Sequence, residues 1–451
     1  MSYEKIDKYL KAHLDDSIQE LGELCKIPTI SAQKLNLDEG AAFVGELLKK
    51  RGFHVEIHPT NGAPIVFAEH KGKSDKTLLF YNHYDVQPPE PLELWDSPPF
   101  EPTIRDGVIY ARGVSDDKAH ITSRLFAIDA ILDADGELPC NVKFVIEGEE
   151  ETSSENVPPF VKANKDKLAA DACIWEFGEI DHTGVPQQIL GLRGICYVEL
   201  SVETANIDTH SGTFGTIFAN AAWRLVWALN TLKDENEKIL IPGYYDNVKP
   251  PSPRDRELFE KLPDRAGEYK SRYGVKSFLK GATGGADLRL QQTLEPSCTI
   301  CGLTSGYQGP GSKTVLPARA TAKVDFRLVP DQTPEEVLEK LRAHLDEQGF
   351  EDVQIKFLGG EAPGRTDPDD PFIKVVVEAA QDAYGMPMAV VPMVGGSGPN
   401  HVFLEELDLP VATAGVGYPG TKAHAPNETV VIEHYLKGAK HITRILKEFA
   451  V

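Results

Sequence analysis

The chain has no surplus of positive charge: 69 Asp and Glu stand against 47 Lys and Arg, a formal net charge of −22. A surface of that sign repels phosphate backbones and anionic headgroups, which argues against nucleic acid and membrane partners. No apolar run approaches the ~20 residues that a membrane-spanning helix needs. The opening MSYEKIDKYLKAHLDDSIQELGELC is charged throughout and does not read as a signal peptide. Cysteine is scarce, with six residues (Cys25, Cys140, Cys173, Cys196, Cys298 and Cys301) spread over 451. A chain of this size does not need disulfide staples, so a reducing cytoplasm is the expected location. Cys298 and Cys301 form a C-x-x-C, but no second pair completes a zinc ribbon. Neither an internal repeat nor a low-complexity tract is present, and the 38 Gly and 32 Pro follow no collagen-like period.

What is present is a globular composition, 41% hydrophobic and 26% charged, long enough for two or three domains. Tyr3 to Cys25 and Asp38 to Arg51 show apolar residues at helical spacing. Strand-like runs follow at Ala63 to His70, Thr77 to Tyr81 and Asn141 to Glu147, with a helix predicted over Lys118 to Ala134. Strands alternating with helices imply an α/β layer fold. After Gly191 the order becomes strand (Ile195 to Val202), helix (Phe218 to Leu232), two strands (Ser297 to Leu303, Arg319 to Val329), helix (Thr333 to Gln348) and strand (Val353 to Leu358). This βαββαβ order marks a ferredoxin-like module. Asp234 to Pro296, rich in Pro, Tyr and charge, reads as an embellishment of it. From Pro371 the texture returns to alternating helix and strand. The expected plan is one α/β domain, residues 1–189 and 363–451, interrupted by a smaller inserted domain over 190–362.

Chemistry-bearing side chains collect at predicted strand ends and turns. LLFYNHYD ends an apolar strand in His83-x-Asp85, and a sheet delivers functional groups at that carboxyl edge. A metal-ligating imidazole donates its second N–H to an acceptor, which a carboxylate two residues away can supply. Asp116 and Asp117, in ARGVSDDK, precede a helix, and adjacent carboxylates repel unless a cation or a helix N-terminus compensates. Glu149, Glu150 and Glu151 follow the buried-looking strand NVKFVI, Glu176 follows DACIW, and His424 lies in the turn-rich TKAHAPNET. His83, Asp116, Glu151, Glu176 and His424 together give two imidazoles and three carboxylates, a ligand set suited to zinc, manganese or cobalt. Two metals sharing one bridging carboxylate would use all five. GYQGPGSKT nearly spells a phosphate loop, but it has one residue too many before the lysine and leads into a strand containing Pro317.

NHYDVQPPEPLELWDSPPFEP, ARGVSDDK, EGEEETSS, DTHSG, GPGSKTVLP, AKVDFRLVPDQ, GGSGP and AHAPNE occur in order between positions 78 and 428. Together they resemble the co-catalytic dinuclear-metal peptidases: carnosinases, cytosolic nonspecific dipeptidases, glutamate carboxypeptidases, aminoacylases and acetylornithine deacetylases. The segment from NHYDVQP through WDSPPFEPTIRDG looks most like the dipeptidase branch.

The resemblance implies an α/β/α catalytic domain with an inserted lid and dimerisation domain, hence a homodimer. It implies two divalent ions per chain, Zn²⁺ first and Mn²⁺ or Co²⁺ as alternatives. In that picture Asp116 bridges, His83 and Glu176 complete one metal's ligands, and Glu151 and His424 complete the other's. Glu150 matches the general base, Asp85 the carboxylate behind His83, and His210 a lid histidine that reaches the partner's site. Thr314, Arg327 and Ser397 match residues holding the substrate's carboxylate end. A cis peptide is expected at Asp116-Asp117. Departures from the pattern are Asn82 and Ser153 in place of Gly, Ala119 and His120 in place of Gly and a polar residue, and Glu176 in place of Asp. The activity implied is hydrolysis of the peptide bond of a dipeptide or similar small substrate by a metal-bridged hydroxide. The alternatives are an N-acyl amino acid deacylase or glutamate carboxypeptidase using the same chemistry, or a catalytically silent metal-binding protein. The last should have lost a ligand or the base, and none is missing.

Overall fold

A computed structural model describes residues 3–451 and divides the chain into two compact units. The first comprises the residues up to Leu190 together with Arg365–Pro392 and Pro399–Val451. Its six-stranded sheet runs in the order His54–His58, Ile65–His70, Asn141–Glu147, Thr77–His83, Ala172–Trp175, Val411–Thr413. The first three strands pair antiparallel and the last four run parallel. Thr77–His83 is buried along nearly its whole length, the pattern of a central strand covered on both faces. Its register sets His83 opposite Glu147, so two strands end side by side at the carboxyl edge.

The helix Ala119–Asp135 buries twelve of its residues and ends at Gly136, whose φ of 78° lets its N–H reach Leu132 O. The C-terminal helix Ile432–Phe449 shares its core with Pro371–Tyr384, which starts with Asp370 capping Phe372 N and Pro371 in the first turn. Two local readings need correction. The amphipathic stretch Tyr3 to Cys25 is two helices, Glu4–Ala12 and Leu14–Cys25, parted at His13 (φ −112°, ψ 17°), whose ring stacks on Tyr9 and contacts Asp16. A three-stranded sheet, Thr103–Arg105, Val108–Tyr110 and Thr429–Val431, went unseen because three-residue strands carry too little periodicity.

The second unit, Gly191–Gly364 with Met393–Gly398, holds a four-stranded antiparallel sheet. Its order is Ser297–Ser305, Arg319–Leu328, Gly194–Glu203, Gln354–Glu361, and the helices Ala221–Asn230 and Pro334–Glu347 complete the βαββαβ sequence. Burial alternates along Gly194–Glu203, and Cys196, Val198, Leu200 and Val202 join Leu225 and Leu341 in this unit's own core. The stretch Asp234 to Pro296 carries three short helices here. The GGSGP turn also belongs to this unit: Val394 N donates to Gly191 O, and Arg193 N to Gly396 O. All six cysteines are free thiols, and among the described residues no helix is long and apolar enough to cross a membrane.

His441 offers a test of this packing. It is fully buried, donates from Nε2 to Val376 O at 2.8 Å, and lies edge-on to Tyr384. Burial, aided by the charge of Arg444, pushes its pKa down from 6.5 to about 4. The unfolded chain therefore takes up a proton near pH 6.5 that the folded chain refuses until about pH 4. Stability is lost as pH falls through that window, by on the order of 3 kcal/mol from this group. Chemical denaturation at pH 7 and pH 4.5 should show a smaller loss for His441→Gln than for the unaltered protein. Equal losses would remove His441 as the source.

Candidate active site

The carboxyl ends of the parallel strands and the loops facing them bring seven of the expected residues into the first unit. His83, the last residue of its strand, is fully buried. Its Nε2 lies 3.0 Å from Asp116 Oδ1, while Nδ1 contacts Asp85 O at 3.1 Å and Asp85 Oδ1 at 3.3 Å. Asp116 Oδ2 lies 3.1 Å from His424 Nε2, so one carboxylate spans two imidazoles. His424 Nε2 is also 3.0 Å from Glu151 Oε2. Asp116, Glu151 and His424 present ligand atoms that all fall within 4.8 Å of one another. The Asp116-Asp117 peptide is cis, as the family resemblance predicts.

Asp85 does more than stand behind His83. Its carboxylate accepts from Glu150 N at 3.2 Å and Glu151 N at 3.1 Å, which anchors the acidic turn beside the histidine. That turn starts at Gly148, where a Cβ would stand 2.3 Å from the Tyr84 hydroxyl, so only glycine lets the chain leave the strand there. It closes at Ser153 with φ 85°, a left-handed conformation that explains why glycine would be the usual residue. His424 is likewise left-handed, with φ 61°.

The electrostatics are those of a site with too much negative charge. Burial, reinforced by Glu150, pushes Glu176 well above the usual carboxylate range. Burial does the same to Glu150, with Asp116 and Glu151 adding repulsion against the pull of His83. Asp116 goes the other way: burial opposes its charge, but His424 and His83 hold it below the ordinary range. Asp116 and Glu151 raise His424 to about 10. Glu176 Oε2 is buried without a hydrogen-bond partner. An orphaned buried carboxylate oxygen beside a tight cluster of two carboxylates and an imidazole is a donor set that fits divalent cations.

Two supporting residues escaped the sequence reading. Glu428, fully buried, accepts from Arg112 Nη1 (2.7 Å), Gly113 N (2.8 Å), Ser115 N (2.8 Å) and Asp116 N (3.0 Å). It thereby ties the AHAPNE loop to the loop of Asp116. Gln87 donates from Nε2 to Glu151 Oε2 at 2.8 Å. Both lie inside motifs already singled out, and the signal was a carboxylate or amide flanked by residues with evident roles.

The other four expected residues lie in the second unit. Thr209–His210 pairs with Val315–Leu316, and Ser211 N donates to Thr314 O, so His210 and Thr314 sit on one short ribbon, both exposed. His210 Nδ1 accepts from Gly212 N at 3.1 Å. Arg327 Nη1 donates to Ser397 Oγ at 3.0 Å, with Asp325 Oδ2 3.2 Å from Nε.

Removing the Glu428 charge tests how the Asp116 loop is held. Gln has one acceptor oxygen where four donors converge, so Glu428→Gln should cost about 3 kcal/mol of unfolding free energy. Denaturant unfolding of the metal-free protein measures it, and a loss under about 0.5 kcal/mol would show that the loop does not depend on this carboxylate.

Residues 79–448 match the sequence profile of Peptidase family M20/M25/M40. The chain is 38% identical to an M20 family metallo-carboxypeptidase from Sulfolobus solfataricus, whose structure superposes with a TM-score of 0.90 over 96% of this chain and 99% of that one. It is 28% identical to the Cys-Gly metallodipeptidase of Schizosaccharomyces pombe, covering 100% of this chain and 99% of that protein. It is 27% identical to the Beta-Ala-His dipeptidase of Rattus norvegicus, covering 97% and 93%. With its motifs, its strand-end carboxylates and a match across most of its length in agreement, the chain belongs to peptidase family M20/M25/M40.

Proposed function

We propose that this protein is a metal-dependent dipeptidase that hydrolyses the peptide bond of dipeptides or similarly small substrates. The observation that carries this reading is the single Asp116 carboxylate set between His83 and His424. His83, Asp116 and Glu176 would hold one divalent ion, and Asp116, Glu151 and His424 a second, with Zn²⁺ expected first and Mn²⁺ or Co²⁺ as alternatives. When bound, the ions supply Lewis acidity that polarises the scissile carbonyl and makes water a better nucleophile.

Glu150 is the group that moves protons. Burial raises its proton affinity, and the ions, when bound, would lower it again and leave a carboxylate able to accept a proton. Glu150 takes the proton as water adds to the carbonyl carbon. It returns that proton to the amine nitrogen as the carbon–nitrogen bond breaks, so one group serves both halves of the reaction. Asp85 orients His83 and, through the Glu150 and Glu151 amides, fixes where Glu150 starts. Arg327 and Ser397, hydrogen-bonded to each other, offer a guanidinium and a hydroxyl for the substrate's free carboxylate. Six free thiols support the cytoplasmic placement.

A second reading, removal of the C-terminal residue from longer peptides, is favoured by the 38% identity to a metallo-carboxypeptidase. A panel of dipeptides, tripeptides, longer peptides and N-acyl amino acids, assayed with Zn²⁺ or Mn²⁺, separates the two. Dipeptides should be cleaved fastest, with activity abolished by chelation and restored by the ion. Glu150→Gln should reduce turnover by on the order of 10² or more with metal content unchanged. Preferential cleavage of longer peptides would establish the carboxypeptidase reading instead.

The inserted unit supports a homodimer. Its helix Ala221–Asn230 buries Ala221, Leu225 and Ala228 but exposes Trp223, Val226 and Trp227, the two indoles stacked 5.9 Å apart. The edge strand Ser297–Ser305 exposes Ile300 and Leu303. An apolar helix face and an unpaired apolar strand in one unit suit pairing with a second copy about a two-fold axis. In such a dimer His210 stabilises the oxyanion in the partner's site. Mixing inactive His210→Ala with inactive Glu150→Gln under subunit exchange should restore part of the activity, since one site per heterodimer then has both residues. Demonstrated exchange without recovery would confine His210 to its own chain.

A further inference from the structure

Asn82, His120 and Arg124 lie beneath the candidate metal centre and touch none of the five expected ligand side chains. Asn82 and His120 are two of the positions where this chain departs from the family pattern. Both are buried, and both converge on Asp117, which is itself fully buried. Asn82 Nδ2 donates to Asp117 Oδ2 at 2.5 Å. The Asn82 carbonyl accepts from Arg124 Nη1, and the same guanidinium donates to the backbone oxygens of Tyr81, Trp175, Glu176 and Ala414. Arg124 therefore ties together the ends of three parallel strands, and Asn82 passes that anchor on to Asp117.

His120 reaches the other oxygen. Its Nδ1 lies 2.8 Å from Asp117 Oδ1, an oblique approach that acts as an electrostatic contact rather than an aligned hydrogen bond. Val416 N donates to His120 Nε2 at 3.1 Å, which leaves the ring proton on Nδ1, facing the carboxylate. The space for the ring is made by Gly415, where a Cβ would stand 2.3 Å from His120 Cδ2. Asp117 Oδ2 also accepts from the His83 backbone N–H at 3.2 Å.

We infer that Asn82 and His120 are positioning residues: gripping Asp117 from both sides, they set the placement of Asp116 and His83 and so the affinity of the centre for its ions. A carboxylate adjacent in sequence to the bridging one, and bonded to the backbone of a ligating histidine, transmits any displacement to both. Outer partners of metal ligands commonly alter affinity by ten- to a hundred-fold when removed. The inference rests on the two-metal reading above.

The test is metal affinity of the full-length protein, stripped of metal and titrated with Zn²⁺ in competition with a chromogenic chelator. His83→Ala and His424→Ala examine the centre itself. If neither weakens binding, the two-metal reading fails and takes this inference with it. With those controls positive, Asn82→Ser and His120→Ala should each weaken binding by about ten- to a hundred-fold. His120→Asn, whose amide nitrogen can occupy the place of Nδ1, should return to within about threefold of the unaltered protein. In an Asp117→Asn background, the effects of Asn82→Ser and His120→Ala should shrink to less than about threefold, because both act through the Asp117 carboxylate. Unchanged affinity alongside a lower melting temperature of the metal-free protein would make both residues merely structural and overturn the inference. So would losses that persist in full in the Asp117→Asn background. If Asn82→Ser does not fold, the His120→Ala and His120→Asn pair decides the matter alone.

Discussion

Crowding of carboxylates in low dielectric is the constraint around which the catalytic unit is organised. Asp85, Asp116, Asp117, Glu147, Glu150, Glu151, Glu176 and Glu428 gather at one edge of the sheet, five of them buried outright. Like charges at such spacing cannot all ionise unless cations or N–H donors answer them. Two solutions are visible. Asp85, Asp117 and Glu428 are met by backbone amides, Asn82 and Arg112, which makes them structural anchors. Burial pushes Glu147 up to about 8, toward the protonated form, even though the Tyr81 hydroxyl donates to its Oε1 at 2.5 Å and favours the ionised one. Asp116 is met by two imidazoles, Glu151 by His424 and the Gln87 amide, and Glu176 Oε2 by no hydrogen-bond donor, and the negative charge left over is what divalent ions would neutralise.

The residues of this edge were legible in the sequence because each expected ligand sits at a strand end or in a tight turn, where composition changes abruptly. His83 ends an apolar strand, Glu151 follows one and Glu176 follows another, so periodicity alone exposed them as carboxyl-edge residues. His424 was different: a histidine in a turn-rich loop ordinarily reads as a surface residue, and it gained a role only when counted together with His83 and the three carboxylates. Glu428 and Gln87 were hidden because their role is defined by what they touch. Glu428 serves the backbone of residues more than 300 positions earlier, a relation no local pattern encodes. The same holds for the sheet of Thr103–Arg105, Val108–Tyr110 and Thr429–Val431, whose strands are short but which joins the two loops that carry Asp116 and His424.

In the inserted unit, strand and helix order was readable because its long strands alternate strictly and its helices are capped. Thr333 caps Pro334–Glu347 by accepting from Glu336 N, and Asn220 caps Ala221–Asn230 by accepting from Trp223 N. What the order did not reveal is that Met393–Gly398, some thirty residues beyond the module, packs with it. Arg193 N–H donates to Gly396 O in that turn, and the same turn delivers Ser397 to Arg327. A proposed substrate anchor is thus assembled from segments about seventy residues apart in sequence.

The distribution of rigid and exposed groups gives the proposed reaction its division of labour. Groups that must hold position are buried and multiply bonded: Asp85 to two amides, Glu428 to four donors, Arg124 to five acceptors. Groups proposed to meet a substrate are left exposed or half-buried: His210, Thr314 and Arg327. Preorganisation needs the first set to stay fixed while charge develops, since a site that reorganises during reaction gives back the stabilisation it supplies. Arg124 is suited to that task because burial lowers it only to about 10, so it remains a cation at neutral pH while lying wholly out of water. The buried guanidinium therefore gives the acidic edge a fixed positive charge supplied by the chain itself.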